Sequence, residues 1–161
     1  MTAHERTGWR DMALSQRHRQ WGYNCPAVDL DFLVAEYNTG EPVALIEYKH
    51  ERAQRPDLQH PTYRALRSLS DKAELPFAVV YYRSNPWRFL VLPANERAAA
   101  FYRGACSLSE RRYVRSLYVL RARVVERIVL ERLDDQEDPL CAWPASGAQA
   151  GDAREISEIS A

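Results

Sequence analysis

Between Ala27 and His50 the chain alternates apolar and polar positions with a period of two, the pattern of half-buried strands. In the first run Val28, Leu30, Phe32 and Val34 share one face, and Asp29, Asp31 and Leu33 share the other. The second run divides into Ala44, Ile46 and Tyr48 against Val43, Leu45, Glu47 and Lys49. Asn38, Thr39 and Gly40 supply the turn, and two geometries are open. A two-residue Thr39-Gly40 turn pairs Asn38 with Glu41 and sets Asp31 opposite Tyr48. A three-residue loop, with Gly40 as the left-handed residue of a bulge, pairs Tyr37 with Glu41. Asp31 then faces Glu47, and Asp29 faces Lys49.

The same reading predicts a helix over residues 8 to 20, broken by Gly22 and Pro26. A second helix starts near Pro61, because proline is tolerated in a first turn. Strands follow over 77 to 83 and 87 to 92, joined by Ser84-Asn85-Pro86, and then a short helix ends near Gly104. Ser107 and Glu110 have the spacing of a capping box, after which no Gly or Pro interrupts the chain to Leu133. Val114, Leu117, Leu120 or Arg121, Val124, Ile128 and Leu133 form an apolar stripe, so one long C-terminal helix is expected to cover the sheet. From Asp134 the composition turns acidic and small, which predicts a disordered tail. The expected domains are residues 1–133 and the tail 134–161.

A chain of 161 residues, 46% hydrophobic and 27% charged, suits one globular domain with its own core. No apolar run spans a bilayer and the N-terminus is polar and arginine-rich, so a cytoplasmic protein with no membrane partner is expected. Three scattered cysteines, Cys25, Cys106 and Cys141, suggest neither a disulfide framework nor a zinc knuckle. The zero net charge conceals a split: one basic and seven acidic residues lie beyond residue 133, leaving +6 before that point and −6 after it. Nearly all the positive charge is arginine, which offers planar paired donors to phosphate.

Charges inside otherwise apolar strands require a reason. In the three-residue-loop register two carboxylates oppose each other about 5 Å apart and repel unless a proton or cation lies between them. Hard divalent cations such as Mg²⁺ accept one or two carboxylates and complete their shell with water and phosphate. Lys49, two residues along that face, would then orient a water or meet developing negative charge. The plain structural alternative is an Asp29–Lys49 ion pair with Asp31 and Glu47 facing water. Leu33, Val43 and Leu45 share that face, which argues for burial instead.

Asp31, with Asp29 as a near alternative, followed by Glu47-Tyr48-Lys49 on the next strand, resembles the PD-(D/E)xK nuclease superfamily. Gln59-His60-Pro61-Thr62-Tyr63 has the Q-x-x-x-Y spacing of its RecB-like branch. The resemblance implies an α/β fold with a restriction-endonuclease-like αβββαβ core, a mixed sheet flanked by helices, over about residues 8 to 133. It implies hydrolysis of DNA, conceivably RNA, with Mg²⁺ or Mn²⁺ held by Asp31, Glu47 and Asp29. It also implies catalytic roles for Asp31, Glu47, Lys49 and Asp29, with Gln59 and Tyr63 orienting the motif and touching DNA. Members with an iron–sulfur cluster use four cysteines, so no cluster is expected. The short length suits a stand-alone enzyme of phage DNA processing or of recombination and repair.

His50, Arg52 and Arg55 are expected on the rim, near phosphate. Tyr81, Tyr82, Trp87 and Phe89 are expected in the core or in cross-strand pairs rather than stacked on bases. A homodimer would suit a junction- or duplex-cutting enzyme. The alternative function is a catalytically inactive nuclease-fold protein that binds nucleic acid or regulates, its acidic tail screening the basic groove.

Overall fold

Leu45, Phe77, Val79 and Val91, nearly or wholly inaccessible, mark the centre of a sheet covered on both faces. The structure is a computed structural model that describes Arg17, Gln20, Val28, Leu30 and residues 31–133. The elements, in chain order, are β1 Phe32–Glu36, β2 Glu41–His50, α1 Pro61–Lys72, β3 Phe77–Ser84 and β4 Trp87–Pro93. After them come α2 Glu96–Tyr102, β5 Cys106–Ser109, α3 Glu110–Leu120 and α4 Arg127–Leu130. The helix expected over 8–20 and the tail from 134 lie outside the described residues, except that Arg17 and Gln20 are helical.

The five strands lie in the order β1-β2-β3-β4-β5. β2 and β3 are parallel, with α1 as their crossover, and every other pair is antiparallel. The chain is therefore an α/β protein with a mixed sheet flanked by helices. Odd positions of β2 and β3 (Leu45, Phe77, Val79, Tyr81) pack with Leu66 of α1, Leu75 and Ala94. Even positions (Ile46, Ala78, Val80) pack with Phe89, Val91, Ala98 of α2 and Tyr113 of α3. Two apolar faces in β3 follow from the parallel pairing, which buries both sides of a strand. α1 begins where Pro61 needs no hydrogen-bond partner, and the His60 Nδ1 accepts the Thr62 N–H at 3.3 Å.

Two expectations about the C-terminal part are corrected. Residues 106–109 are a strand, which covers the edge of β4, and the helix cap is Ser109, whose Oγ accepts the Arg112 N–H at 3.4 Å. The long helix also stops at Leu120. Ala122 turns left-handed (φ 52°), the Arg123 N–H reaches back to the Tyr118 carbonyl, and the Ala122 N–H reaches that of Val119. This is a Schellman ending built without glycine. It is held by the Glu36 carboxylate, which accepts hydrogen bonds from Arg121 at 3.1 Å and Arg123 at 2.7 Å. Beyond it the apolar stripe no longer covers the sheet, since Val124 is 93% exposed.

The Arg123 hydrogen bond is the main cause that holds the Glu36 carboxyl at about 2; burial opposes it, and the Asn38 N–H and Arg121 assist. A depressed carboxyl contributes stability that is complete above its unfolded value near 4.5 and disappears as pH falls toward 2. The melting-temperature gap between the native chain and Glu36→Gln should therefore be widest above pH 5 and close between pH 4.5 and 2. A gap that stays constant through acid would deny this clasp its role.

Candidate active site

The face of β2 that carries Leu45, Glu47 and Lys49 lies under α1. How Asp31 comes to meet it depends on the hairpin, and neither turn weighed from the sequence is the one formed. Glu36 pairs with Glu41, so the loop has four residues, Tyr37 to Gly40, closed by the Gly40 N–H on the Glu36 carbonyl at 2.8 Å. Gly40 sits at φ 69°, the left-handed conformation that glycine adopts without strain. The ladder then slips: Ala35 pairs with Pro42 but Val34 with Ala44, leaving Val43 as a bulge. The bulge absorbs the residue that the longer loop displaced. Beyond it Leu33 faces Leu45 and Phe32 faces Ile46, where the ladder ends; carried one residue further, that register, the one expected from the shorter loop, points Asp31 toward Glu47.

Glu47 is 8% exposed, and its Oε1 accepts the Lys49 ammonium at 2.6 Å. Burial raises the Glu47 carboxyl above its ordinary value; the Lys49 hydrogen bond opposes this, and Asp31 adds to the rise through its charge and a shared hydrogen bond. Burial alone would depress Lys49, but the Glu47 contact outweighs it and the ammonium is held above its usual range. Lys49 is thus a firmly charged cation at neutral pH. Tyr63, in the first turn of α1, lies near enough for Lys49, Glu47 and Asp31 to act on it electrostatically, and burial raises its hydroxyl.

Tyr81 is the residue that sequence reasoning left in the core. The parallel register places it directly beside Lys49, its hydroxyl donates to the Gln54 carbonyl at 2.7 Å, and Arg55 acts on it electrostatically. It both packs in the core and ties the 51–60 loop over the site. No periodicity discloses such a neighbour, because parallel pairing is settled by a distant crossover.

The structure therefore brings together Asp31, Glu47, Lys49 and Tyr63, with Arg55 close by. Gln59 is exposed ahead of the helix; its N–H is taken by Asp57 Oδ1 at 2.9 Å, and no contact of its side chain with the Glu47–Lys49 pair occurs among the described residues. His50 points to the opposite sheet face, its ring edge-on to Tyr82 at 5.5 Å, and its Nδ1 accepts the exposed Arg52's N–H at 3.3 Å. Asp29 lies outside the described residues.

A divalent cation fits the donor set. The exposed Asp31 carboxylate raises the buried Glu47 carboxyl beside it, a repulsion that a cation relieves. Among the described residues no group of three or more His, Cys, Asp or Glu side chains gathers at one point, so the protein's donors there would be Asp31 and Glu47. No family model, curated protein or solved structure matches the chain. Function is argued from this geometry.

Proposed function

We propose that the protein is a Mg²⁺- or Mn²⁺-dependent nuclease hydrolysing DNA phosphodiester bonds, akin to the PD-(D/E)xK superfamily in its site and its restriction-endonuclease-like sheet. The observation that carries this reading is the Glu47–Lys49 ion pair at 2.6 Å with the exposed Asp31 carboxylate acting on Glu47 beside it, and the tyrosine of the Q-x-x-x-Y pattern, Tyr63, within electrostatic reach of all three. A bound divalent ion would polarise the phosphate and make a coordinated water acidic. Asp31 and Glu47 would hold it. The Lys49 ammonium, held by Glu47, would steady the attacking water and the growing charge on the phosphoryl oxygens. Tyr81 and the loop it ties would exclude bulk solvent from that side.

The deciding experiment incubates the full chain with linear, circular, single-stranded and four-way-junction DNA, and with RNA, in Mg²⁺, Mn²⁺ or EDTA. Cutting is expected with either metal and not in EDTA, and Glu47→Ala is expected to lower it by at least about 10²-fold. A folded protein that cuts none of these substrates would overturn the reading in favour of a binding module.

A further inference from the structure

Arg83 on β3 and Arg88 on β4 are direct partners across an antiparallel ladder. Opposed residues project to the same face, so two positively charged side chains leave the sheet together, an arrangement of like charges that destabilises it. By alternation that face is the one bearing Tyr81, Leu90 and Lys49. Arg88 is 4% exposed, and its Nε and that of Arg83 are buried without a hydrogen-bond partner. Neither has an ion pair among the described residues. A buried charged Nε left unpaired is costly, as at Arg88, and an anion is the partner that would relieve it.

Space for it exists. Arg83 lines a cavity of about 300 Å³ at the end of β2 and β3, with His50, Glu51, Arg52, Ser84 and Asn85. The one carboxylate, Glu51, is outnumbered by two guanidinium groups and an imidazole. Strand geometry sets the Arg83 Cα about 8 Å from that of Lys49, from a rise of ~3.3 Å per residue and a strand spacing of ~4.8 Å. The scale is that of neighbouring phosphates on one strand.

Resting on the nuclease reading, we propose that Arg83, backed by Arg88, forms a second phosphate subsite that holds the substrate strand beside the cleaved bond. Arg52 and the Ser84-Asn85 turn complete its wall. The paired donors of arginine suit a phosphate held through two oxygens. His50 and Arg52, which lie away from the Glu47–Lys49 face, thereby acquire a common ligand with it.

Binding in EDTA separates this subsite from the chemistry. The full chain, Arg83→Gln and Arg83→Lys are titrated with a labelled duplex, with and without a 5′-phosphate, over a range of salt, alongside inorganic phosphate as competitor. Arg83→Gln is expected to weaken binding about tenfold and to reduce the logarithmic salt slope by about 0.9, the value for one lost phosphate contact. Arg83→Lys should recover the slope but not the full affinity. Loss confined to phosphorylated ends identifies a terminal phosphate, and loss on both duplexes identifies internal phosphodiesters. Displacement by millimolar inorganic phosphate alone would mark a free-phosphate site and overturn the strand assignment. Unchanged affinity and slope in Arg83→Gln would overturn the subsite even if the protein cuts DNA. A reduced slope in a protein that cuts nothing would keep the subsite and reject the nuclease.

Discussion

Lys49→Met is expected to slow metal-supported cleavage by about 10²–10³-fold, or about 2.7–4 kcal/mol of transition-state stabilisation, with substrate affinity nearly unchanged. Glu47 at 2.6 Å favours the protonated Lys49 amine against the pull of its own burial. What it offers is a positive charge held at a fixed place, with a third of its side chain still open to a reacting group. Such a charge acts most on the state in which negative charge grows, which is why the loss should fall on the rate. Lys49→Arg should not restore activity, since a planar fork cannot reproduce a point charge held against the Glu47 carboxylate. Single-turnover rates with saturating protein measure this directly. A Lys49→Met rate within tenfold of the native one would remove the lysine from the chemistry.

The alternation around Asp31 and Glu47 marked the candidate site because strand faces have a period that sequence displays. The α/β class, the hairpin, α1, β3, β4 and α2 are legible because each is bracketed by Gly, Pro or a capping residue. The register that joins Asp31 to Glu47 was anticipated through a three-residue loop. It arises instead from a four-residue loop and a bulge at Val43, two displacements that cancel. What stayed hidden was set by long-range partners. Nothing near Ala122 stops a helix locally; Glu36, more than eighty residues earlier, anchors the arginines on either side of the break. Residues 106–109 carry cap-like serines, yet the open edge of β4 draws them into a strand. Tyr81 entered the site through a parallel pairing, and Arg83 met Arg88 through an antiparallel one. Contacts of that separation leave no periodic trace.

Asn95→Ala is expected to destabilise the protein by about 3 kcal/mol or more, lowering its melting temperature by about 6–12 °C without touching the site. Asn95 is 9% exposed and caps α2, its Oδ1 accepting the Ala98 N–H at 3.0 Å and the Phe77 N–H at 2.9 Å. Its Nδ2 shares two hydrogens among Ser70 Oγ, Asp71 Oδ1 and the Leu75 carbonyl, at 3.2, 2.9 and 2.9 Å. One side chain thus fastens the end of α1, the start of β3 and the start of α2. Truncation loses the cap, about 1 kcal/mol, and leaves the buried Phe77 N–H unpaired at about 1–3 kcal/mol more. Against a total of about 5–15 kcal/mol this is a large fraction. Asn95→Asp distinguishes lost bonds from lost volume. It keeps both acceptors but replaces the amide by a carboxylate oxygen facing Asp71 and the Leu75 carbonyl, so it should be as damaging near neutral pH and recover partly in acid as the carboxyl takes up a proton. A melting temperature within about 2 °C of native for Asn95→Ala would mean that packing around Phe77 and Leu66 holds these three elements without it.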